Sequence, residues 1–302
     1  MASSLKRSIL ITGCSTGSAG HALALEFARQ GLRVFATARS TKSLPELEAK
    51  GVEVLPLEVT SADSIAALKA EITTRTGGKL NMLFNNAGMI YEAPAIESNP
   101  ASMRKMFDAN VFGLFDMVTA FVPLLLASVP DSQTPPTIIN TSSILSRLPY
   151  PFAAGYNASK AAVTSYSDTL RIELGPLGIK VVTLFMGEVS TGLMLPDNIS
   201  FSPDSLYIDA EAGVRERSRI HAEKSIKPEE FARQVANEVL SKAAAGKGEF
   251  LWKGTNASLI WFLNAVGWRK VFDGTVLSAV GLNKQEIKKA IFDKGQQRVK
   301  RD

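Results

Sequence analysis

The chain has 302 residues, 45% of them hydrophobic and 21% charged, and its 34 basic and 29 acidic side chains leave a net charge of +5. That balance suits one larger α/β domain with a modest extension; the excess is too small and dispersed for a nucleic-acid partner and favours small anionic ligands or an anionic membrane surface. A single cysteine, Cys14, rules out an internal disulfide, and with only two histidines beside it the usual zinc spacings cannot be assembled, so no metal is expected.

From the N-terminus, Met1 to Ser8 is short and polar and reads as no signal peptide, which makes the cytoplasm the default compartment. Short apolar runs then alternate with longer amphipathic stretches. Strands are expected at Ser8–Thr12, Arg33–Ala38, Glu53–Leu57, Met82–Asn85, Thr137–Thr141, Lys180–Phe185 and Glu249–Trp252. Their apolar residues are continuous rather than alternating, as in strands covered on both faces. Helices are expected at Gly20–Gln30, Ala62–Thr74, Ser102–Ala127, Ala154–Leu174 and Pro228–Ala245. The fold class that follows is α/β, a doubly wound parallel sheet of seven strands with helices on both faces. Ser102–Ala127 is long and apolar, but it lies mid-domain between two strands and reads as a core helix rather than a membrane span.

The first strand runs into Thr12-Gly13-Cys14-Ser15-Thr16-Gly17-Ser18-Ala19-Gly20, and a helical pattern begins at once. Glycines there let the backbone turn and approach a pyrophosphate, which the helix N-terminus then meets with unpaired N–H groups. About twenty residues on, where an acid would hold the ribose hydroxyls of NAD, this chain has Arg39. A carboxylate repels a 2′-phosphate and a guanidinium binds it, so the expected cofactor is NADP(H).

Tyr156 and Lys160 stand four residues apart on an expected helix and so share a face. A free phenol has a pKa of about 10 and is a weak acid–base group at neutral pH. A nearby ammonium, with the positive charge of an oxidised nicotinamide, favours the phenolate and lowers that value.

Five pieces now stand in order: the glycine turn, Asn85-Asn86-Ala87-Gly88 after the fourth strand, Asn110 in the long helix, Thr141-Ser142-Ser143 after the fifth strand, and Tyr156-x-x-x-Lys160. Together they resemble the short-chain dehydrogenase/reductase family in its type of about 250 residues, over roughly Ser8 to Trp252. The resemblance implies that Tyr156 protonates the substrate oxygen as hydride arrives. It implies that Lys160 binds the nicotinamide ribose and depresses the tyrosine pKa, and that Asn110 anchors a water relaying protons to Lys160. Ser143, thirteen residues before Tyr156, would hydrogen-bond the substrate oxygen, with Ser142 as its neighbouring competitor. Gly13, Ser15, Thr16, Gly17, Ser18 and Ala19 would cradle the pyrophosphate. Glu58 and Val59 would meet the adenine, Asn86, Ala87 and Gly88 the adenosine ribose, and Gly187, Val189 and Thr191 the nicotinamide end. Three departures stand out: the glycine turn is one residue longer than usual, Glu58 replaces the usual Asp, and Met186 stands where the family often has proline, which implies a less rigid turn there.

A narrower resemblance, carried by Thr12-Gly13-Cys14-Ser15, Gly20-His21-Ala22-Leu23-Ala24, Val34 to Arg39 and the tail after Trp252-Lys253-Gly254, is to fungal 1-acyldihydroxyacetone-phosphate reductases and the carbonyl reductases of secondary metabolism grouped with them. It implies NADPH-dependent reduction of a hydrophobic ketone to a secondary alcohol, acting in lipid synthesis or in secondary metabolism. The competing reading is a non-catalytic NADP-binding regulator, which would not need the acid–base pair.

The Gly187–Ile226 stretch shows neither a clear strand nor a long helix and reads as a lid. Its Leu193, Met194, Leu195, Phe201 and Tyr207 would suit an apolar substrate, with Met89-Ile90-Tyr91 and Leu148-Pro149-Tyr150 as the other walls. Arg215, Arg217, Arg219 and His221 would either meet a substrate phosphate or form a solvated face. The domain division is therefore residues 1–254, with the lid at 187–226, and an apolar helical extension at 255–302. Ser258–Leu282 in that extension would lie on a bilayer, cap the cleft, meet a partner subunit or pack on the core. Peripheral attachment to endoplasmic reticulum or lipid droplets and assembly as a homodimer or homotetramer are the associated expectations.

Overall fold

The computed structural model describes residues 6–196, 199, 201–241, 249–268 and 270–299. Seven strands form one parallel sheet in the order β3-β2-β1-β4-β5-β6-β7. They are β1 Ser8–Ile11, β2 Arg33–Ala38, β3 Glu53–Pro56, β4 Met82–Asn85, β5 Thr137–Ser143, β6 Lys180–Met186 and β7 Phe250–Lys253. The strand order reverses direction between β1 and β4, which opens a crevice beyond their carboxyl ends where doubly wound sheets bind ligands.

Eleven α-helices surround the sheet among the described residues: α1 Ala19–Arg29, α2 Pro45–Ala49, α3 Ala62–Thr76, α4 Pro100–Phe107, α5 Gly113–Leu126, α6 Ala154–Leu174, α7 Glu211–Lys224, α8 Pro228–Leu240, α9 Ala257–Val266, α10 Asp273–Ala279 and α11 Gln285–Val299. One face of the sheet packs with α1 and α8 around Ile9, Ile11, Leu23, Phe27, Phe84 and Phe231. The other packs with α3, α5 and α6 around Leu10, Phe35, Ile72, Leu83, Phe121 and Val163. Successive strand residues thus feed opposite cores, which is why the strands are apolar without alternation.

Two expectations need correction. The expected Ser102–Ala127 helix is split into α4 and α5 by a π-turn, Asp108–Phe112. At the junction a Cβ on Gly113 would stand 2.6 Å from the Val59 carbonyl oxygen, so the helix approaches the β3–α3 loop as only glycine allows. Such single-turn bulges recur at functional sites, and this one carries Asn110. Second, the lid stretch contains the fourteen-residue α7. Its inward face is Val214, Arg217, Ser218 and His221, at helical spacing but mostly polar, so no apolar stripe marks it in the sequence. The part of the α8 stretch beyond Ser241, and Arg269 in the tail, lie outside the described residues.

Candidate active site

Ser143 closes β5, pairs in register with Met186 of β6, and caps a short 3-10 turn, Ile144–Ser146, by accepting the Leu145 N–H at 3.1 Å. Strand alternation separates it from Ser142. Ser142 is turned towards α6, donates to the Lys160 carbonyl at 3.1 Å and meets Thr164 Oγ1 at 2.7 Å. Ser143 instead shares a hydrogen bond with the Tyr156 phenol. The geometry thus leaves Ser143, and not Ser142, beside the tyrosine.

Tyr156 lies in the first turn of α6 and is buried among Met106, Ala153, Met89, Ile90, Tyr91, Met103 and Leu145. The expected wall Met89-Ile90-Tyr91 is therefore against the phenol. Lys160 is buried one turn later, and its Nζ donates to the Thr141 carbonyl at 2.8 Å. That bond uses one of the three ammonium donors. A Cβ on Gly88 would stand 3.1 Å from Asn110 Oδ1 and 3.6 Å from Lys160 Nζ, so Gly88, Asn110 and Lys160 converge on one spot.

The ionisation of this pair differs from the expectation. Burial pushes the Tyr156 phenol up to about 12, against the lowering effect of its Ser143 bond, while Glu92 adds a further upward push. Burial brings Lys160 down to about 8. The ammonium lies 5.8 Å from the Tyr156 ring centre and is committed to Thr141, so it does not offset the tyrosine's loss of solvent. In the chain by itself Tyr156 is a protonated donor.

Asn110 is fully drawn into structure. Its Oδ1 accepts the Met89 N–H at 2.8 Å, and its Nδ2 donates to the Met89 carbonyl at 2.9 Å and to Ser159 Oγ at 3.1 Å. The side chain clamps the segment after β4 to α6. Thr141 and Ser159, which hold Lys160 and Asn110, are site residues that sequence reasoning missed; Thr141 acts through its backbone, which leaves no trace in residue type.

On the cofactor side, Gly13 has φ +75°, and a Cβ there would stand 2.7 Å from Ala87 Cα. Thr12 Oγ1 accepts the N–H groups of Asn86 at 3.0 Å and Ala87 at 2.9 Å. Asn86 Nδ2 returns bonds to the carbonyls of Thr12 and Gly13 at 3.0 and 3.2 Å. These bonds lock the β1 and β4 ends together. Ser18 caps α1 by accepting the His21 N–H at 3.1 Å and donates to the Gly13 carbonyl, also at 3.1 Å. The extra residue in the turn is thus absorbed by this cap, and the glycine that packs against the Gly13 carbonyl and Asn86 is Gly20. Gly17, at φ +75°, faces open space. Arg39 is exposed at the end of β2, and its guanidinium has no protein partner among the described residues. The Glu58 carboxylate turns back to Thr60, accepting its N–H at 3.2 Å and its hydroxyl at 2.9 Å.

At the end of β6 the turn without proline is braced from elsewhere, contrary to the loose turn expected. Gly187 N–H donates to the Lys253 carbonyl at 2.7 Å, and Glu188 and Thr255 exchange backbone bonds at 3.0 Å. A Cβ on Gly187 would stand 2.4 Å from the Thr255 carbonyl oxygen, so glycine is obligatory. Val189 is buried and bridged to Ile226, and Thr191 Oγ1 is half-buried near the Leu193 N–H at 3.4 Å.

The lid is less apolar inside than expected. Phe201 and Tyr207 pack around Phe152, with ring centres 5.1 and 5.7 Å away, and build the lid's own core rather than a cleft wall. Arg217 is buried, pairs with the buried Glu92 carboxylate, and lies 4.9 Å over the Tyr150 ring. Arg215 pairs with Glu211, Arg219 with Glu216 and Glu223, and His221 lies 3.4 Å from Glu188. Each guanidinium of the expected phosphate site is already neutralised.

The short chain dehydrogenase family model matches residues 7–198. The chain is 36% identical to short-chain dehydrogenase virD of Hypocrea virens over 264 residues, 87% of this chain and 89% of that one. It is also 36% identical to the NADPH-dependent 1-acyldihydroxyacetone phosphate reductase of Schizosaccharomyces pombe, over 84% of each chain. Among solved structures, a short-chain dehydrogenase from Streptomyces avermitilis superimposes with a TM-score of 0.73 at 26% identity, covering 90% of this chain and 99% of that one. The chain belongs to the short-chain dehydrogenase family and is an oxidoreductase of CH–OH or ketone groups.

Proposed function

We propose that this chain reduces a hydrophobic, uncharged ketone to a secondary alcohol with NADPH. The observation that carries the reading is the Tyr156 phenol buried beside Ser143 inside an apolar wall, with Lys160 holding spare donors one turn away. The residues fit the dinucleotide. The amides of Ala19 and Gly20 at the head of α1 have no acceptor among the described residues, Gly17 opens on free space, and the unpartnered Arg39 suits a 2′-phosphate.

When bound, NADPH would supply the hydride. Ser143 would donate a hydrogen bond to the substrate carbonyl oxygen and fix it beside Tyr156. The phenol would then give its proton to that oxygen as negative charge develops there. Lys160, through its free donors, would hold the nicotinamide ribose and stabilise the phenolate left behind. The Met89, Ile90 and Leu145 side chains keep water from the phenol.

The relative from Schizosaccharomyces pombe supports the preference for NADPH and offers a phosphorylated lipid ketone as the second reading. The neutralised arginines of α7 favour an uncharged ketone, as in the carbonyl reductases of fungal secondary metabolism, over that phosphate ester. Self-association is part of the same proposal, supported by Phe112 at the head of α5 and Ile172 on α6, large apolar side chains more than half exposed. Light scattering over a concentration series checks it. For the activity, NADPH oxidation is followed against polycyclic ketones, long-chain ketones and an acyl-dihydroxyacetone phosphate. Turnover of an uncharged ketone is expected, and turnover of the phosphate ester alone overturns that substrate reading.

A further inference from the structure

The helix α9 is apolar on more sides than the fold can cover. It buries Ala257 and Ile260 against Ile144, Leu148, Phe272 and Val276. Leu259, Trp261, Phe262 and Val266 remain on its outer side, and Trp268 follows; each is more than half exposed. Contiguous apolar surface of this kind marks an interaction site. At ten residues α9 is too short to cross a bilayer.

Charge identifies what the surface meets. Residues 255–302 hold nine basic and four acidic side chains, so the whole net charge of +5 lies in the tail, and residues 1–254 balance with 25 of each sign. From Thr255 to Phe272 there is no acidic residue at all, while Arg269 and Lys270 follow directly on Trp268. Pairing this surface with its own copy would bring two positively charged tails together, which repel. An anionic lipid surface attracts them, and tryptophan is the side chain that settles at the boundary between headgroups and hydrocarbon.

We infer that α9, with Trp268 and Lys270 beyond it, forms a peripheral docking surface for an anionic membrane. Trp261, Phe262 and Trp268 enter the interface, and Lys270 close behind them meets the headgroups. The same helix packs on the turn Ile144–Ser146, directly after Ser143, and on the loop that carries Tyr150. Docking therefore places the substrate loop beside the bilayer, a source of the hydrophobic ketone proposed above, although the docking itself does not depend on that activity.

The test uses the full chain and vesicles of phosphatidylcholine with or without about 30 mol% phosphatidylserine. Flotation with the anionic vesicles, weakened by salt, and quenching of tryptophan emission by brominated lipid are the expected results. The variant Trp261→Ser/Phe262→Ser should partition about tenfold or more weakly. Its NADPH turnover of a water-soluble ketone should be unchanged, which shows that it is folded. No flotation of the parent chain, or equal flotation of parent and variant, overturns the inference. So does vesicle-independent dimerisation that the same variant abolishes, since the surface would then belong to a second copy.

Discussion

The two sides of the active-site cleft are held by different means. On the sheet side, most of the fixed groups are tied to backbone: Lys160 to the Thr141 carbonyl, Asn110 to Met89, Asn86 to Thr12 and Gly13. On the lid side, α7 is tied by side-chain charge across the cleft, Arg217 to Glu92, 125 residues apart in the chain. Backbone partners are present whatever the residue at that position, whereas a charge pair fails when either member changes. The sheet side should therefore respond to mutation mainly in chemistry and the lid side mainly in stability.

The largest effect is expected at Tyr156. Replacement by phenylalanine should lower kcat by about 10²–10⁴-fold with little change in thermal midpoint, since only the proton donor is removed. Retention of full activity on every accepted ketone would remove the acid–base role. Arg217→Ala should behave in the opposite way, costing about 3–5 kcal/mol of stability because Glu92 is left buried without a partner. The double variant Arg217→Met/Glu92→Leu should recover most of that loss in a denaturant titration; a double variant as unstable as the single would show that the pair is not what holds α7. Arg39→Asp should weaken NADPH by about tenfold or more while leaving NADH nearly unchanged, read by fluorescence titration. Equal binding of NADPH by parent and variant would detach Arg39 from the 2′-phosphate.

The stability change expected at Lys160 is smaller than that at Arg217. The lysine's folded pKa of about 8 lies below its ordinary 10.5, so its contribution is favourable above the unfolded value and is lost as pH falls through 8. At neutral pH the buried ammonium therefore costs about 3 kcal/mol, partly offset by about 1 kcal/mol from its bond to Thr141. Lys160→Met should be inactive yet more stable than the parent at pH 7, with the gain shrinking towards pH 10. A stability gain independent of pH would mean that burial leaves the lysine's pKa at its unfolded value.

Much of the frame was readable in advance. β2 and β4 begin and end where expected, and so does α6, because continuous apolar runs between turn residues leave few alternatives. The choice of Ser143 over Ser142 rested on spacing alone, and strand alternation supplied the physical reason. Three features were not readable. The helix α7 was missed because its buried face is polar. The π-turn at Asn110 sits beside a close approach of Gly113 to Val59, and no local pattern announces either. Phe201 and Tyr207 looked like substrate contacts because aromatic residues in a lid carry no mark of what they face.

The sequence by itself determined the alternation of the seven strands with the main helices between them and the glycine turn, and it singled out the Ser143, Tyr156, Lys160 and Asn110 that the fold brings close together. These depend on periodicity and short spacings, which a linear chain displays. Tertiary structure alone decided the ionisation of Tyr156 and Lys160, the partner of Arg217, and which apolar residues of the tail remain uncovered. Each of those depends on burial, and burial is set by segments far apart in the chain.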